Sequence, residues 1–291
     1  MSTGEIWRNW DIPSLPLALE VRRGQFEKAC AKAVREGAII RNSQGLLLVW
    51  KDPVMSEWLR NLSFRGWWCS NECTTAELLF EARRYLLEMG ADFAALSSWK
   101  PVPECEGFLK VGQSAHAWVY RERFPGRAAD PEIEIRAFAE VPDRWLDLIV
   151  RHATVTQWHD RHSSDPRLSA NRIGAQRGAW ILAMVRNQEG FITVRHSAGT
   201  LGAYLVVPID RSRVACGGPA IAGLNGIGGS FHEGRWYYTS VWRASFRHAT
   251  ALECLPVIQY QTENRAVPLL LARTFRSELA TRNDVHWWAI K

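Results

Sequence analysis

The most informative pattern of apolar and polar positions lies between Gly223 and Asn264. It predicts two strands that are joined by a polar loop and a helix. Within the helix, apolar or small side chains recur at three- and four-residue steps, which is typical of one buried face. These residues are Tyr238, Val241, Trp242, Ser245, Phe246 and Ala249. We expect Arg243 and Arg247 to share the other face.

The first of these two strands carries three interior glycines, Gly226, Gly228 and Gly229. Glycine weakens a strand, and inside one it marks a bulge or a close approach by another backbone. A strand, a loop and a helix start in this order present backbone N–H groups that bind anions. The pattern therefore predicts an anion site at the start of the helix.

The rest of the second half also follows from periodicity. Strict alternation over EIEIRAFA predicts a half-buried strand at residues 132–139. The other predicted elements are helices at Asp143–Ala153 and Ala170–Val185, strands at Gly190–His196, Leu201–Ile209 and Val214–Gly223, a short helix at Ala266–Arg273 and a strand at Asp284–Ile290.

The first half predicts fewer elements, and a turn-rich segment ends it. The predicted elements are helices at Gln25–Arg35 and from the capping box Thr74–Glu77 to Gly90, an apolar run at Leu46–Trp50, and strands at Asp92–Ser97 and Ala115–Arg121. Pro125, Gly126 and Pro131 then predict a domain boundary, which gives domains at 1–126 and 132–291. The two halves repeat one order of elements, so we expect related domains.

Composition excludes several classes of protein. No apolar run approaches the roughly 20 residues of a membrane span, and the N-terminus lacks a signal pattern, so we expect a soluble cytoplasmic protein. The six cysteines have no framework spacing, and no metal site is expected. Residues 132–291 hold 19 Lys and Arg against 14 Asp and Glu. These basic residues occur singly, which favours a small anionic ligand over nucleic acid.

Four motifs carry a family resemblance: EIEIRAFAEVPD, the loop HSSDPRL, QYQTEN and the closing VHWW. From Glu132 onward the chain resembles the GCN5-related N-acetyltransferase (GNAT) superfamily, and most nearly the amino-sugar acetyltransferases of the dTDP-fucosamine type. Residues before 126 more loosely resemble the truncated, non-catalytic copy that precedes the catalytic domain in that group. The resemblance implies an α/β protein of two GNAT-like domains, each a mixed sheet flanked by helices.

The resemblance also implies a site for acetyl-CoA or a longer acyl-CoA as co-substrate. In the family, two parallel strands separate at a bulge and pantetheine pairs with the first, which here is Ala220–Ser230. The pyrophosphate lies at the start of the following helix, and an Asn that closes the second strand bonds the cofactor arm. The residues at these positions are Ile227, Gly228, Gly229, Gly234, Arg235, Trp236, Tyr237, Tyr238, Thr239 and Asn264.

The chain departs from the family pattern at two places. Glu233, Trp236 and Tyr238 stand at the signature positions of the pyrophosphate loop. Leu270 or Leu271 stands where many members have a tyrosine that protonates the leaving thiolate.

Three residues are candidates for proton transfer, of which His286 on the last predicted strand is more typical of a structural residue. Tyr260, on the second strand, is a candidate acid, although a strand tyrosine is more often a core residue. His162 lies in the loop that walls the acceptor site in the family, and a neutral imidazole accepts an amine proton near pH 7. The alternative for His162 is a place in a solvated polar loop.

The sequence thus predicts an N-acyltransferase that acts on an amine of a small molecule, such as an amino sugar, an amino acid or a peptide. Two alternatives stay open. One is an inactive GNAT-fold binding protein, because the loop is degenerate. The other is an aminoacyl-tRNA-dependent aminoacyltransferase, although such proteins usually carry a long helical arm that the sequence does not predict.

Overall fold

The computed structural model describes residues 16–42, 45–70, 76–99, 101–126, 128–156, 162–197, 200–211, 214, 219–224, 227–230 and 237–289. Two compact units make up the chain. The N-terminal unit comprises residues 1–114 and 280–291, and the central unit comprises residues 115–279. None of the helices in the described ranges has an apolar stretch long enough to cross a membrane.

The N-terminal unit is a mixed sheet with helices on both faces. Its elements are α1 (Pro16–Glu36), β1 (Gly37–Arg41), β2 (Gly45–Lys51), α2 (Pro53–Leu59), β3 (Ser63–Ser70), α3 (Ala76–Glu88), β4 (Phe93–Ser98), the start of β5 (Phe108–Glu122) and the end of β12 (Phe275–Trp288). The strand order is β1-β2-β3-β4-β12. Strands β3 and β4 are parallel, and the other neighbours are antiparallel.

Alternation along β2 separates the two cores of this unit. Leu47 and Val49 pack with α3, whereas Leu46 and Leu48 pack with α1. Leu78, Leu79, Ala82 and Leu86 of α3 are buried, and the helix stops before Gly90, whose φ of 65° is a conformation that favours glycine. The predicted helix at Gln25–Arg35 is longer than expected, and β1 has no counterpart among the predicted elements.

The central unit also contains a mixed arrangement of strands with helices on both faces. Its elements are β6 (Ile133–Ala137), α4 (Asp143–Val155), α5 (Ala170–Asn187), β7 (Glu189–Ser197), β8 (Thr200–Asp210), β9 (Ala220–Gly223), β10 (Ile227–Ser230), α6 (Tyr237–Ala251), β11 (Cys254–Gln261) and α7 (Ala266–Thr274). The strand order is β5-β11-β9-β8-β7-β6, and β10 pairs with β8. The predicted α/β class, with mixed sheets flanked by helices, is confirmed.

Side chains on β8 alternate between two helical layers. Tyr204 and Val206 belong to the core that contains residues of α4 and α5. Leu205 and Val207 belong to the core that contains residues of α6 and α7. Because successive side chains of a strand point to opposite faces, α4 and α5 cover one face of the sheet and α6 covers the other.

The units divide at a different place from the predicted boundary. The turns near residue 126 mark the end of β5, whereas the compact units separate within β5, between Ser114 and Ala115. Strand pairing explains part of the difference, because Asn283–Trp288 of β12 pair with β4. That pairing places the last strand in the N-terminal unit, which turn residues alone do not predict.

Close packing between β7 and β8 gives the first testable prediction. A Cβ built on Gly190 would collide with the carbonyl oxygen of Val207 and with the ring of Phe138. We expect Gly190→Ala to lower the free energy of unfolding by about 1–3 kcal/mol, the usual cost of overpacking. Gly126→Ala is the matched control because a Cβ there meets nothing within 4 Å, and we expect it to stay within about 0.5 kcal/mol. Urea denaturation followed by tryptophan fluorescence measures both, and equal midpoints would contradict the prediction.

Candidate active site

A β-bulge interrupts the strand that the sequence predicts at Ala220–Ser230. Ala222 of β9 pairs with Ile209 of β8, and Ile227 of β10 pairs with Val206. From Ala222 to Ile227 the chain takes five steps, whereas from Ile209 to Val206 it takes three. Two extra residues therefore bulge out between β9 and β10, and such insertions bend the strand and end its regular pairing.

The bulge separates two parallel strands. β9 pairs with β11 in parallel, and the described register ends where Gly223 lies beside Val257. β11 continues to Gln261, but β10 pairs with β8. In an antiparallel ladder, every second residue directs its N–H and C=O groups away from the partner strand. Alternate residues of β10 thus direct backbone groups toward the gap between β10 and β11.

α6 begins soon after β10 and packs on the sheet through the predicted stripe. Val241, Trp242, Ser245, Phe246 and Ala249 are all buried. Of the predicted cofactor residues, Tyr237, Tyr238 and Thr239 form the first turn of this helix, and Thr239 is half-buried. The other loop residues of that prediction, Gly234, Arg235 and Trp236, lie outside the described residues. Their role therefore stays a prediction.

The second face of α6 makes an ion pair that the helical pattern does not predict. Arg247 donates to both carboxylate oxygens of Glu122 at the end of β5, at 2.5 and 3.1 Å. Nε of Arg243 lies 3.9 Å from the same carboxylate. The hydrogen bond from Arg247 to Glu122 raises the pKa of the guanidinium. Because the Glu122 side chain is only 4% exposed, this pair fixes α6 to β5 as well as to the core.

The first turn of α6 is also close to the carboxylate of Asp130, whose negative charge is stabilised by hydrogen bonds. The carboxylate of Asp130 accepts hydrogen bonds from Nε of Arg195 at 2.7 Å and from the backbone N–H of Glu132 at 3.1 Å. Burial tends to raise the pKa of Asp130, but hydrogen bonds from Arg195, from Glu132 and from Ser240 in α6 bring it below its usual value. This contact ties the segment before β6 to α6.

Tyr260 and Asn264 lie on β11 and just after it. Tyr260 is half-buried against the α6 core, and burial raises the pKa of its phenol, so the hydroxyl keeps its proton at neutral pH. Oδ1 of Asn264 accepts hydrogen bonds from the N–H groups of Ala266 and Val267, at 3.2 and 3.3 Å. Asn264 therefore caps the start of α7, while its amide nitrogen keeps two donors.

The loop that carries His162 is less solvated than its polar sequence indicates. His162 is 7% exposed, and its carbonyl oxygen accepts from the backbone N–H of Asp165 at 3.1 Å. The fully buried carboxylate of Asp165 pairs with Arg167 at 3.0 Å. Residues 157–161, on the other side of His162, lie outside the described residues. The role of His162 in proton transfer stays a prediction.

Sequence reasoning missed a histidine of α4 that lies against β10. Nδ1 of His152 lies 3.0 Å from Oη of Tyr204 on β8. A Cβ built on Gly229 would lie 2.6 Å from Cε1 of His152, so the imidazole fills the space that this glycine leaves. His152 follows the buried residues Trp145 and Ile149 at the spacing of one helix face. This spacing is the sequence pattern from which the position of His152 on the buried side of α4 could have been predicted.

Comparison with known proteins identifies solved structures that are similar to this chain at low sequence identity. No family model matches the chain, and neither does any curated protein sequence. A conserved protein of unknown function from Staphylococcus epidermidis superposes with a TM-score of 0.56 at 9% identity, over 88% of this chain and 96% of that protein. A GCN5-related N-acetyltransferase from Kribbella flavida gives 0.49 at 11% identity, over 92% and 95%. A tandem GNAT protein from the clavulanic acid biosynthesis pathway gives 0.48 at 14% identity, over 100% and 97%.

The staphylococcal protein therefore shares the fold of this chain. The superpositions on the two acetyltransferases have TM-scores below 0.5, so they support no inference about this chain. What the central unit does must accordingly be inferred from its own residues and from the separation of β10 and β11.

The contact between α6 and β5 gives the second testable prediction. Glu122→Gln leaves Arg247 and Arg243 without the buried carboxylate, so we expect a loss of about 3 kcal/mol in the free energy of unfolding. Glu189→Gln is the matched control, since Glu189 also binds one arginine, Arg211, through both oxygens at 2.8 Å but is 51% exposed. Exposed pairs contribute about 0–1 kcal/mol. Chemical denaturation of the two variants checks the difference, and similar losses would contradict it.

Proposed function

We propose that the central unit is an acyl-CoA-dependent N-acyltransferase that transfers an acetyl or longer acyl group to the amine of a small molecule. The observation that carries this proposal is the separation of β10 from β11 at a two-residue bulge, close before the start of α6. A gap between two strands offers unpaired backbone groups to a ligand that itself contains amides. Pantetheine is such a ligand.

Each part of the proposed co-substrate has a matching feature. The amides of pantetheine pair with β10, where Gly228 and Gly229 present no side chain. The phosphates bind at the start of α6, where backbone N–H groups and the helix dipole favour anions. Arg235, together with the amide nitrogen of Asn264, supplies further donors. Ile227, Tyr237, Tyr238 and Thr239 complete this proposed contact set.

The proposed reaction is direct acyl transfer. The amine nitrogen attacks the thioester carbonyl, and the oxyanion that forms is held by a backbone N–H near Ile227–Gly229. The C–S bond then breaks, and the thiolate takes a proton from water or from the phenol of Tyr260, which the raised pKa keeps protonated. His162 or another base removes the proton of the amine.

The chemical class of the acceptor amine is a second, narrower proposal. The motifs QYQTEN and VHWW favour the amino-sugar group, so an amino sugar is the first acceptor to test, followed by amino acids and peptides. The N-terminal unit has a structural or substrate-shaping role in this proposal, because its sequence lacks the series of glycine-rich strand, loop and capped helix. One co-substrate is therefore expected per chain.

The second candidate function is binding without catalysis. It is favoured by Glu233, Trp236 and Tyr238, which replace the small or polar signature residues of the family loop. Such a protein would keep a fold that binds a partner while the seat for the pyrophosphate is lost. This candidate and the proposed enzyme differ in one property, the release of free thiol from acyl-CoA in the presence of an amine.

The proposed function is tested by two measurements on the full chain. Calorimetry with coenzyme A should give a stoichiometry near one. An assay for thiol release from acetyl-CoA, with panels of amino sugars, amino acids and peptides, should give a signal that depends on the amine. Binding of coenzyme A without thiol release would favour the non-catalytic candidate, and no binding at all would overturn the proposal.

Arg235 gives the third testable prediction. We expect Arg235→Glu to weaken binding of coenzyme A by about 1–3 kcal/mol, the scale of a charge-assisted hydrogen bond and a helix-terminus interaction. Arg144→Glu is the matched control, because it makes the same charge change at the exposed start of α4. Calorimetry compares the two. An equal loss in both would mean that net charge, and not a contact at α6, attracts the phosphates.

The acyl chain gives the fourth prediction. Large rings at Trp236 and Tyr238 are costly to expose, so we propose that they wall an apolar channel beside the co-substrate. Affinity should then rise from acetyl-CoA to octanoyl-CoA, by up to about 0.8 kcal/mol for each buried methylene. Trp236→Gly should abolish the rise and leave the affinity for coenzyme A itself unchanged. Equal affinity at every chain length would instead indicate that the rings pack into the core.

A further inference from the structure

Strand β5 contains an extra residue close to its end. Val119 is buried in the core that includes residues of α6, and three positions later Glu122 binds Arg247 of the same helix. In a regular strand, side chains three positions apart point to opposite faces. Because Val119 and Glu122 both face α6, a β-bulge lies between them, and the two residues there, Tyr120 and Arg121, are both exposed. The bulge therefore directs two consecutive side chains into solvent.

The neighbouring strand, β12, adds a further exposed arginine beside the bulge. The N–H of Arg123 donates to the carbonyl oxygen of Thr274 at 2.9 Å, so the end of β5 meets the start of β12. The two strands are neighbours in the sheet and thus run antiparallel. Phe275 packs in the α6 core, and the exposed Arg276 that follows it points to the other face. Arg276 accordingly lies across the ladder from Arg121.

The chain that follows the bulge is anchored, although its side chains are exposed. Nε of Arg123 donates to a carbonyl oxygen of β12 at 3.1 Å, and Nη2 of Arg247 donates to the carbonyl oxygen of Pro125 at 3.5 Å. Between these two anchors, Phe124 is 64% exposed, and Tyr120 in the bulge is 52% exposed. Single exposed apolar residues are common in proteins. Here, however, two rings and two arginines share one anchored stretch of five residues.

These side chains form a surface with an excess of positive charge. Of the acidic residues on the same two stretches, Glu122 is buried and bound to Arg247, and Glu278 is half-buried on β12. Like charges that lie opposite each other in a ladder are destabilising, which applies to Arg121 and Arg276. An anionic partner relieves this repulsion. The basic surface comprises Tyr120, Arg121, Arg123, Phe124 and Arg276.

We propose that the basic surface binds a single-stranded nucleic acid. Guanidinium groups match the geometry of phosphates, and exposed rings stack on bases of any sequence. Binding to a lipid surface relies on an apolar face that enters the bilayer, whereas each ring here is next to an arginine in the sequence. A second copy of the chain fits poorly, because two such surfaces repel each other.

The fold changes what the spacing of basic residues in the sequence implies. Arg121 and Arg123 are separated from Arg276 by most of the central unit, so the sequence shows no basic run. Pairing of β5 with β12 brings the three arginines together. None of them belongs to the contacts proposed for acyl-CoA. The proposed binding of nucleic acid is therefore independent of the proposed acyl transfer.

The proposal is tested on the full chain with a fluorescent oligouridine of about 12 nucleotides, a length within the range of known single-strand sites. Fluorescence anisotropy measures its affinity at increasing salt concentrations. A single-stranded ligand releases about 0.7 counterion for each phosphate that is neutralised. With three arginines, the plot of log affinity against log salt concentration should have a slope of about −2.

Arginine variants test the charge contacts. Arg121→Gln and Arg276→Gln should each reduce the steepness of the salt dependence by about 0.7 and lower the affinity about fivefold at low salt. Arg186→Gln is the matched control, since it makes the same charge change at an exposed position of α5 in the same unit. The control should bind as the unmodified protein does. Thermal melting shows that each variant folds.

Leucine variants test the role of the rings. Tyr120→Leu and Phe124→Leu keep an apolar side chain but remove the flat face on which a base stacks. Each should lower the affinity for the oligonucleotide about fivefold or more, which is the scale of one stacked base. The melting temperature should stay unchanged, because both residues are exposed. Vesicles of phosphatidylserine and phosphatidylcholine are the comparison ligand, and the unmodified protein should not bind them.

Four results would overturn the proposal. The first is no binding of the oligonucleotide, which would mean a solvated face, and the second is binding of the vesicles alone. The third is an equal loss in Arg186→Gln, which would mean that net charge suffices. The fourth is unchanged affinity in both leucine variants. Thiol release from acyl-CoA should be the same in all these variants, so failure of the proposed enzyme activity is measured separately.

Discussion

The central unit depends on one constraint, which is that β8 pairs with two strand segments in registers that differ by two residues. Ala222 and Ile227 cannot both keep their partners on β8 unless the chain between them bulges out. Buried backbone N–H and C=O groups need partners, and beyond the bulge β10 directs half of its groups toward a gap. In the proposed function, a ligand with amides satisfies these groups. The roles proposed for the glycines of β10 and for the start of α6 depend on this gap.

Two different forces hold α6 beside that gap. Val241, Trp242, Ser245, Phe246 and Ala249 of its apolar stripe are buried, and burial of this kind is the main favourable contribution to folding. Its other face is held by the ion pair with Glu122, 125 residues away in sequence. The apolar contact is tolerant of small rotations, whereas the paired guanidinium and carboxylate define one orientation. The helix start is therefore positioned more sharply than hydrophobic packing alone would achieve.

The sequence was sufficient to predict those helices and strands whose pattern depends only on residues close together in the chain. Three- and four-residue steps predicted α6, alternation predicted β6, and glycines predicted a bulge in the strand that became β9 and β10. Features that join distant residues could not be predicted in this way. The bond between Glu122 and Arg247 has no local pattern, and the place where the units divide follows from the pairing of β12 with β4. His152 was missed because its partner Tyr204 lies 52 residues away in sequence.

Among the described strands, the N-terminal unit contains both the first along the sequence and most of the last. Ser97 and Ser114 donate to the fully buried carboxylate of Asp284, and Asn283–Trp288 pair with β4. During synthesis, β1 to β4 leave the ribosome well before Asn283–Trp288 of β12, and every residue of the central unit precedes that segment. Until then, the edge of β4 must remain unpaired in the nascent chain, where an exposed strand edge invites association with other chains.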